Sequence, residues 1–162
     1  MDLIQRLFDY AQIDFKPQHR PPKTAAVAIA TLIAIVGSLI ADALLVAIGK
    51  AIFPSTKNYE HFHFSSYSKL TIIGVIFAGI GWPIIARICV HPRWLYFRLA
   101  IVVTAVLLLP DLYLLIKGNS VSAVFILVLM HFAIAIVTYN AMVRLAPARH
   151  RRRRRASEPE AI

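Results

Sequence analysis

The sequence predicts an all-α integral membrane protein, a bundle of four spanning helices, and three observations carry that prediction. Apolar runs at 24–48, 70–90, 99–116 and 121–143 each come close to the roughly 20 residues a helix needs to cross ~30 Å of hydrocarbon. Hydrophobic residues make up 59% of the chain and charged residues only 16%, against roughly 25% in a soluble domain. The basic residues are segregated to one side of the predicted membrane, as retained loops require. A chain of 162 residues has no room for a second core beside four spans. It therefore divides into a segment 1–23, a membrane domain 24–143 and a tail 144–162.

In chain order, Leu3, Ile4, Leu7, Phe8, Ala11 and Phe15 recur at helical spacing, with Asp2, Gln5, Arg6, Asp9 and Gln12 on the other face. Too short and polar to span, this amphipathic helix is expected to lie along the membrane interface, either as an anchor or as a docking helix for a partner. Pro17, Pro21 and Pro22 stop it and leave an extended basic connector. The first apolar run is read as a retained span. It is longer than the roughly 7 to 15 residues of a signal-peptide core and contains Asp42.

The connection 50–69 is rich in aromatic residues and histidine, including Phe53, Tyr59, Phe62, Phe64 and Tyr67, which is the composition of an interfacial belt. His61 and His63 in an extended segment would point the same way, a half-site for a transition metal that needs a carboxylate from elsewhere. In the second span Gly74, Ala78, Gly79 and Gly81 are read as close-approach positions, as are Ala34, Ser38 and Asp42 in the first. Pro83 in the second span and Pro110 in the third each remove a backbone donor and are expected to kink their helices. Cys89 is the single cysteine and reads as a packing residue.

Four spans put both ends on one side. That side carries Arg6, Lys16, Arg20 and Lys23 before the first span, Arg87, Arg93 and Arg98 around the second connection, and Arg144, Arg149 and 151–155 after the fourth. Lys50, Lys57, Lys69 and Lys117 face the other way, so both termini are expected in the cytoplasm of a bacterial plasma-membrane protein. The tail, with Arg151, Arg152, Arg153, Arg154 and Arg155, has no apolar periodicity and is expected to be disordered. Its charge suits anionic lipid headgroups. It lacks the interleaved aromatics and folded reading surface of a nucleic-acid binder, so no nucleic acid is expected.

Two aspartates and one histidine lie within the apolar runs: Asp42, Asp111 and His131. An aspartate at a span's centre costs about 3 kcal/mol on insertion scales, so such groups face the interior and find partners. Counting from the ends of their runs, at 1.5 Å per residue, places all three about 8 to 15 Å below the extracytoplasmic end, where they can meet. Together they would suit a proton relay, a cation or a basic ligand; alternatively Asp111 and His131 pair as helix glue, with Asp42 satisfied by Ser38, a tyrosine or water.

Gly81, Trp82 and Pro83 in the second span, Pro110 and Asp111 in the third, and Met130 and His131 in the fourth give the chain a further character. At these residues it resembles a group of uncharacterised four-span membrane proteins from actinobacteria. The resemblance covers approximately the membrane region and implies the fold and a plasma-membrane location. It implies no activity, and it does not explain the amino-terminal helix or the arginine tail.

Three classes of function follow. Small size, few polar sites, an interfacial helix and a basic tail suit a noncatalytic accessory or scaffold subunit packed beside a membrane protein partner, or a homo-oligomer. A small transporter, channel or proton-linked sensor would use Asp42, Asp111 and His131, although no internal repeat with matching broken helices is visible. A metal-dependent membrane enzyme built on His61 and His63 ranks last, because no nucleophile is paired with a base. No cofactor-binding motif occurs, and no cofactor is expected.

Overall fold

A computed structural model describes residues 19–56, 59 and 62–150, together with Gln5 and Asp9. Four helices run as α1 (Thr24–Ile52), α2 (Phe64–Ile88), α3 (Pro92–Ile116) and α4 (Val121–Leu145), each long and apolar enough to span a membrane. The molecule is a multi-pass membrane protein folded as a four-helix bundle. Of the predicted interfacial helix, only Gln5 and Asp9 are described, both helical and exposed; its remainder, His61 and Arg151 to Arg155 lie outside the described residues.

The helices outrun the apolar runs. α2 begins at Phe64 rather than at 70, and α3 at Pro92 rather than at 99. Backbone hydrogen bonds rather than apolarity define a helix, so polar turns such as Ser65 to Lys69 and basic ones such as Arg93 to Arg98 continue it beyond the hydrocarbon. Pro92 sits in the first turn of α3, where its missing N–H costs nothing. α3 ends at a turn in which Gly118 takes a left-handed φ of 84°. There the Asn119 and Gly118 N–H groups donate to the Leu114 and Leu115 carbonyls, the Schellman arrangement that closes a helix.

α1 and α4 make the most extensive contact in the bundle. The buried face of α1 is Ala30, Ala34, Ser38, Asp42, Val46 and Gly49, a stripe repeating every three or four residues and made of small side chains for half its length. Gly37 faces Val137, and Gly49 faces Ile126, which fixes the antiparallel register and sets Asp42 level with His131. α3 is the least covered helix: its buried residues are Pro92, Tyr96, Thr104 and Asp111, one narrow stripe.

The three glycines of α2 differ in their surroundings. A side chain at Gly79 would meet the Thr31 hydroxyl, so this glycine lets α2 approach α1. Gly74 and Gly81 have nothing within 4 Å of a would-be Cβ. Seven residues apart, they share a face that carries the exposed Leu70 and Phe77 and points away from the bundle. Pro83 and Pro110 lie inside helices that run through them without a break.

The end that carries both termini is closed by aromatic packing. Trp82 is fully buried and donates its indole N–H to the Ala146 carbonyl at 2.7 Å. Its ring lies 5.0 Å from that of Tyr96, which stacks on Tyr139 at 5.9 Å and donates its hydroxyl proton to the Ala78 carbonyl. All four helices meet here, around Ala30, Ala34, Val75, Ile85 and Met142. A two-residue antiparallel ladder, β1 (His19–Arg20) with β2 (Arg149–His150), then ties the entry of the chain to its exit. Arg149 adds guanidinium hydrogen bonds to the Pro21 carbonyl. Cys89 is buried just past α2, where burial pushes its thiol above the ordinary range.

Candidate functional site

The far end of the bundle is polar inside. Asp42 lies ten residues before the end of α1, His131 ten residues into α4 and Asp111 five residues before the end of α3, or about 8 to 15 Å below the helix ends. Asp111 is buried, and its Oδ2 lies 3.2 Å from His131 Nδ1. The same nitrogen is 3.0 Å from the Leu127 carbonyl, one turn back on its own helix. Both neighbours are acceptors, which assigns the ring proton to Nδ1 and divides it between them.

Asp42 is fully buried, and its Oδ2 accepts a 2.8 Å hydrogen bond from the Thr71 hydroxyl of α2. His131 is close enough to act electrostatically on it. The expected partners of Asp42 included Ser38; the structure supplies Thr71 instead. Ser38 Oγ, Asp42 Oδ1 and Thr138 Oγ1 are all buried with no hydrogen-bond partner among the described residues.

Thr71 escaped sequence reasoning because threonine is unremarkable in a span. Its signal is spacing: Thr71, Val75 and Gly79 repeat every four residues on the buried face of α2, as Ala34, Ser38 and Asp42 do on α1.

The aromatic connection does not form a simple interfacial belt. Phe62 and Tyr67 are buried, and with Phe53 and Tyr59 they pack against Val46, Ile126 and Met130 to roof the polar groups. Tyr59 and Phe62 meet edge to face at 5.1 Å. Burial pushes the Tyr59 phenol above its ordinary range, and the charge of Asp111 pushes it further. Belt and roof have the same composition, since both need rings with a polar tip. Under the roof, Thr56 closes α1 by donating its hydroxyl proton to the Phe53 carbonyl at 2.8 Å.

His63 is exposed at the start of α2. No group of three or more His, Cys, Asp or Glu among the described residues could hold a metal ion.

A family model matches residues 18–148, all four helices and every residue of the cluster. The chain belongs to DUF6069, a family of unknown function. No curated protein and no solved structure matches it. The DUF6069 match takes in Trp82 with Pro83, Pro110 with Asp111, and Met130 with His131, and it leaves out the segment before residue 18 and the arginine run.

Proposed function

We propose that this protein is a noncatalytic accessory or scaffold subunit of a larger assembly in the bacterial plasma membrane, with both termini in the cytoplasm. The observation that supports it best is the exposure of α3. That helix is held by Tyr96, Thr104 and Asp111 along one stripe and turns Ile101, Val102, Val106 and Leu109 outward. Because lipid tails are as apolar as these side chains, a second membrane protein competes for such a face through packing rather than hydrophobicity. The aromatic packing at the terminal end joins all four helices behind that face. The orientation rests on the bias of Lys and Arg toward the terminal side. Arg151 to Arg155 would add about 1 kcal/mol per basic residue against anionic headgroups.

Mild-detergent purification from native membranes, with the mass of the intact particle and the identity of each co-eluting chain, tests this reading. A larger membrane protein in fixed stoichiometry is the expected result, and a particle containing this chain alone contradicts it. Reporter fusions to the carboxyl terminus test the orientation.

Asp42 favours a second reading, in which the far-end cluster makes the protein a proton-linked sensor or a small transporter. A carboxylate wholly withdrawn from solvent with one oxygen unpartnered is costly to keep for packing alone.

A further inference from the structure

An open groove of about 550 Å³ runs between α1 and α2, walled by Val27, Thr31 and Ile35 on one side and by Ile76, Ile80 and Pro83 on the other. Among its lining residues only Thr31 has a polar side chain, and that hydroxyl already donates to the Val27 carbonyl at 2.8 Å. The groove therefore presents apolar surface to whatever lies in it.

Helical spacing carries each wall on to a cation at the terminal end. Lys23, Val27, Thr31 and Ile35 follow one another at intervals of four on α1, and Ile76, Ile80, Pro83 and Arg87 at intervals of four, three and four on α2. The contact of Gly79 with Thr31 fixes the antiparallel register of the two helices, and eight residues outward from it on each helix Lys23 comes level with Arg87. Both cations are exposed, and neither pairs with a carboxylate among the described residues. From Val27 to Ile35 the groove runs about 12 Å, within the ~15 Å that one leaflet contributes to the hydrocarbon core. Lys23 and Arg87 stand one turn beyond it, about 6 Å farther out, at the level of headgroups.

We propose that this groove binds one anionic phospholipid, with an acyl chain between α1 and α2 and the headgroup phosphate held by Lys23 and Arg87. A molecule with a negative charge at one end and a hydrocarbon chain at the other complements a groove that is basic at its mouth and apolar along its length. Basic pockets between membrane helices suit such headgroups, and a guanidinium can hold a phosphate through two hydrogen bonds. The site differs in kind from the attraction expected of Arg151 to Arg155, which acts on the charged surface as a whole and selects no single molecule. It also stands apart from the accessory reading, which uses the exposed face of α3.

The test titrates the full-length protein in neutral detergent with phosphatidylglycerol, or with phosphatidylcholine of the same acyl chains, and reads Tm together with the lipids retained in native mass spectrometry. One phosphatidylglycerol per chain should be retained, with a Tm that rises and saturates, because a ligand that binds only the folded state stabilises it by mass action. Phosphatidylcholine should bind about tenfold more weakly. Lys23→Gln combined with Arg87→Gln should remove that preference, whereas Arg144→Gln, at an exposed arginine near the same end of α4, should keep it. Ala28→Phe, at an exposed position that lines the groove, should block binding with both cations in place. If Ala28→Phe does not fold, the paired glutamine variant decides alone. Equal retention of the two lipids, an equal loss in Arg144→Gln, or undiminished binding in a folded Ala28→Phe overturns the inference. So does a Tm rise with glycerol 3-phosphate as large as that with the lipid, which would leave the groove without a part, and so does a co-purified protein chain that Ala28→Phe releases, which would give the groove to a protein.

Discussion

At the end of the bundle that carries both termini, Trp82, Tyr96 and Tyr139 fill the space between helices with rings, and the polar tips of Trp82 and Tyr96 donate to backbone carbonyls. At the far end, Asp42 with Thr71 and Asp111 with His131 link the same four helices as two side-chain pairs, and the buried Asp42 Oδ1 has no hydrogen-bond partner among the described residues. Where lipid supplies no hydrophobic force between helices, packing and hydrogen bonds are the available glue, and each end relies mainly on one of them. The aromatic end satisfies the polar tips of Trp82 and Tyr96; the polar end keeps a buried carboxylate oxygen with no partner among the described residues, and that is where chemistry can enter.

If this contrast is correct, the largest single loss of stability should come from the aromatic end. Trp82→Ala removes a fully buried ring and its hydrogen bond, and should cost about 3–5 kcal/mol in reversible unfolding from detergent. Trp82→Phe keeps most of the packing and should cost about 1 kcal/mol. A smaller effect separates the glycines: Gly79→Ala presses on Thr31 and should cost about 1–3 kcal/mol, whereas Gly74→Ala should stay within about 0.5 kcal/mol. Equal costs would remove the assignment of inner and outer faces to α2.

Smaller still is the polar end. Polar contacts between membrane helices average about 0.6 kcal/mol and reach about 1.7, so Asp111→Asn and His131→Ala should each fall in that range. The weakest effect concerns Cys89. Its raised thiol pKa and burial mean that at pH 8 it holds little thiolate, so maleimide should label it more slowly than an exposed thiol until the protein unfolds.

The four helices were legible in the sequence because the bilayer imposes one length on every span. Their ends were not, because the first turns of α2 and α3 are polar and only their backbone bonds mark them as helix. Asp42, Asp111 and His131 stood out as candidates because charge in hydrocarbon is costly. Thr71 did not, since a hydroxyl carries no such cost. Small size did not distinguish Gly79, which faces Thr31, from Gly74 and Gly81, which face open space, and aromatic composition did not distinguish belt from roof at Phe62 and Tyr67.

The central claim is that the polar groups of the far end act as one electrostatic unit across the bundle. A double-mutant cycle on Asp42→Asn and His131→Ala, read by unfolding in one detergent at one pH, measures it most directly. The account predicts a coupling of at least about 0.5 kcal/mol between two residues that share no direct hydrogen bond. Additive losses would show that Asp42 with Thr71 and Asp111 with His131 are two separate contacts, and would contradict the shared cluster.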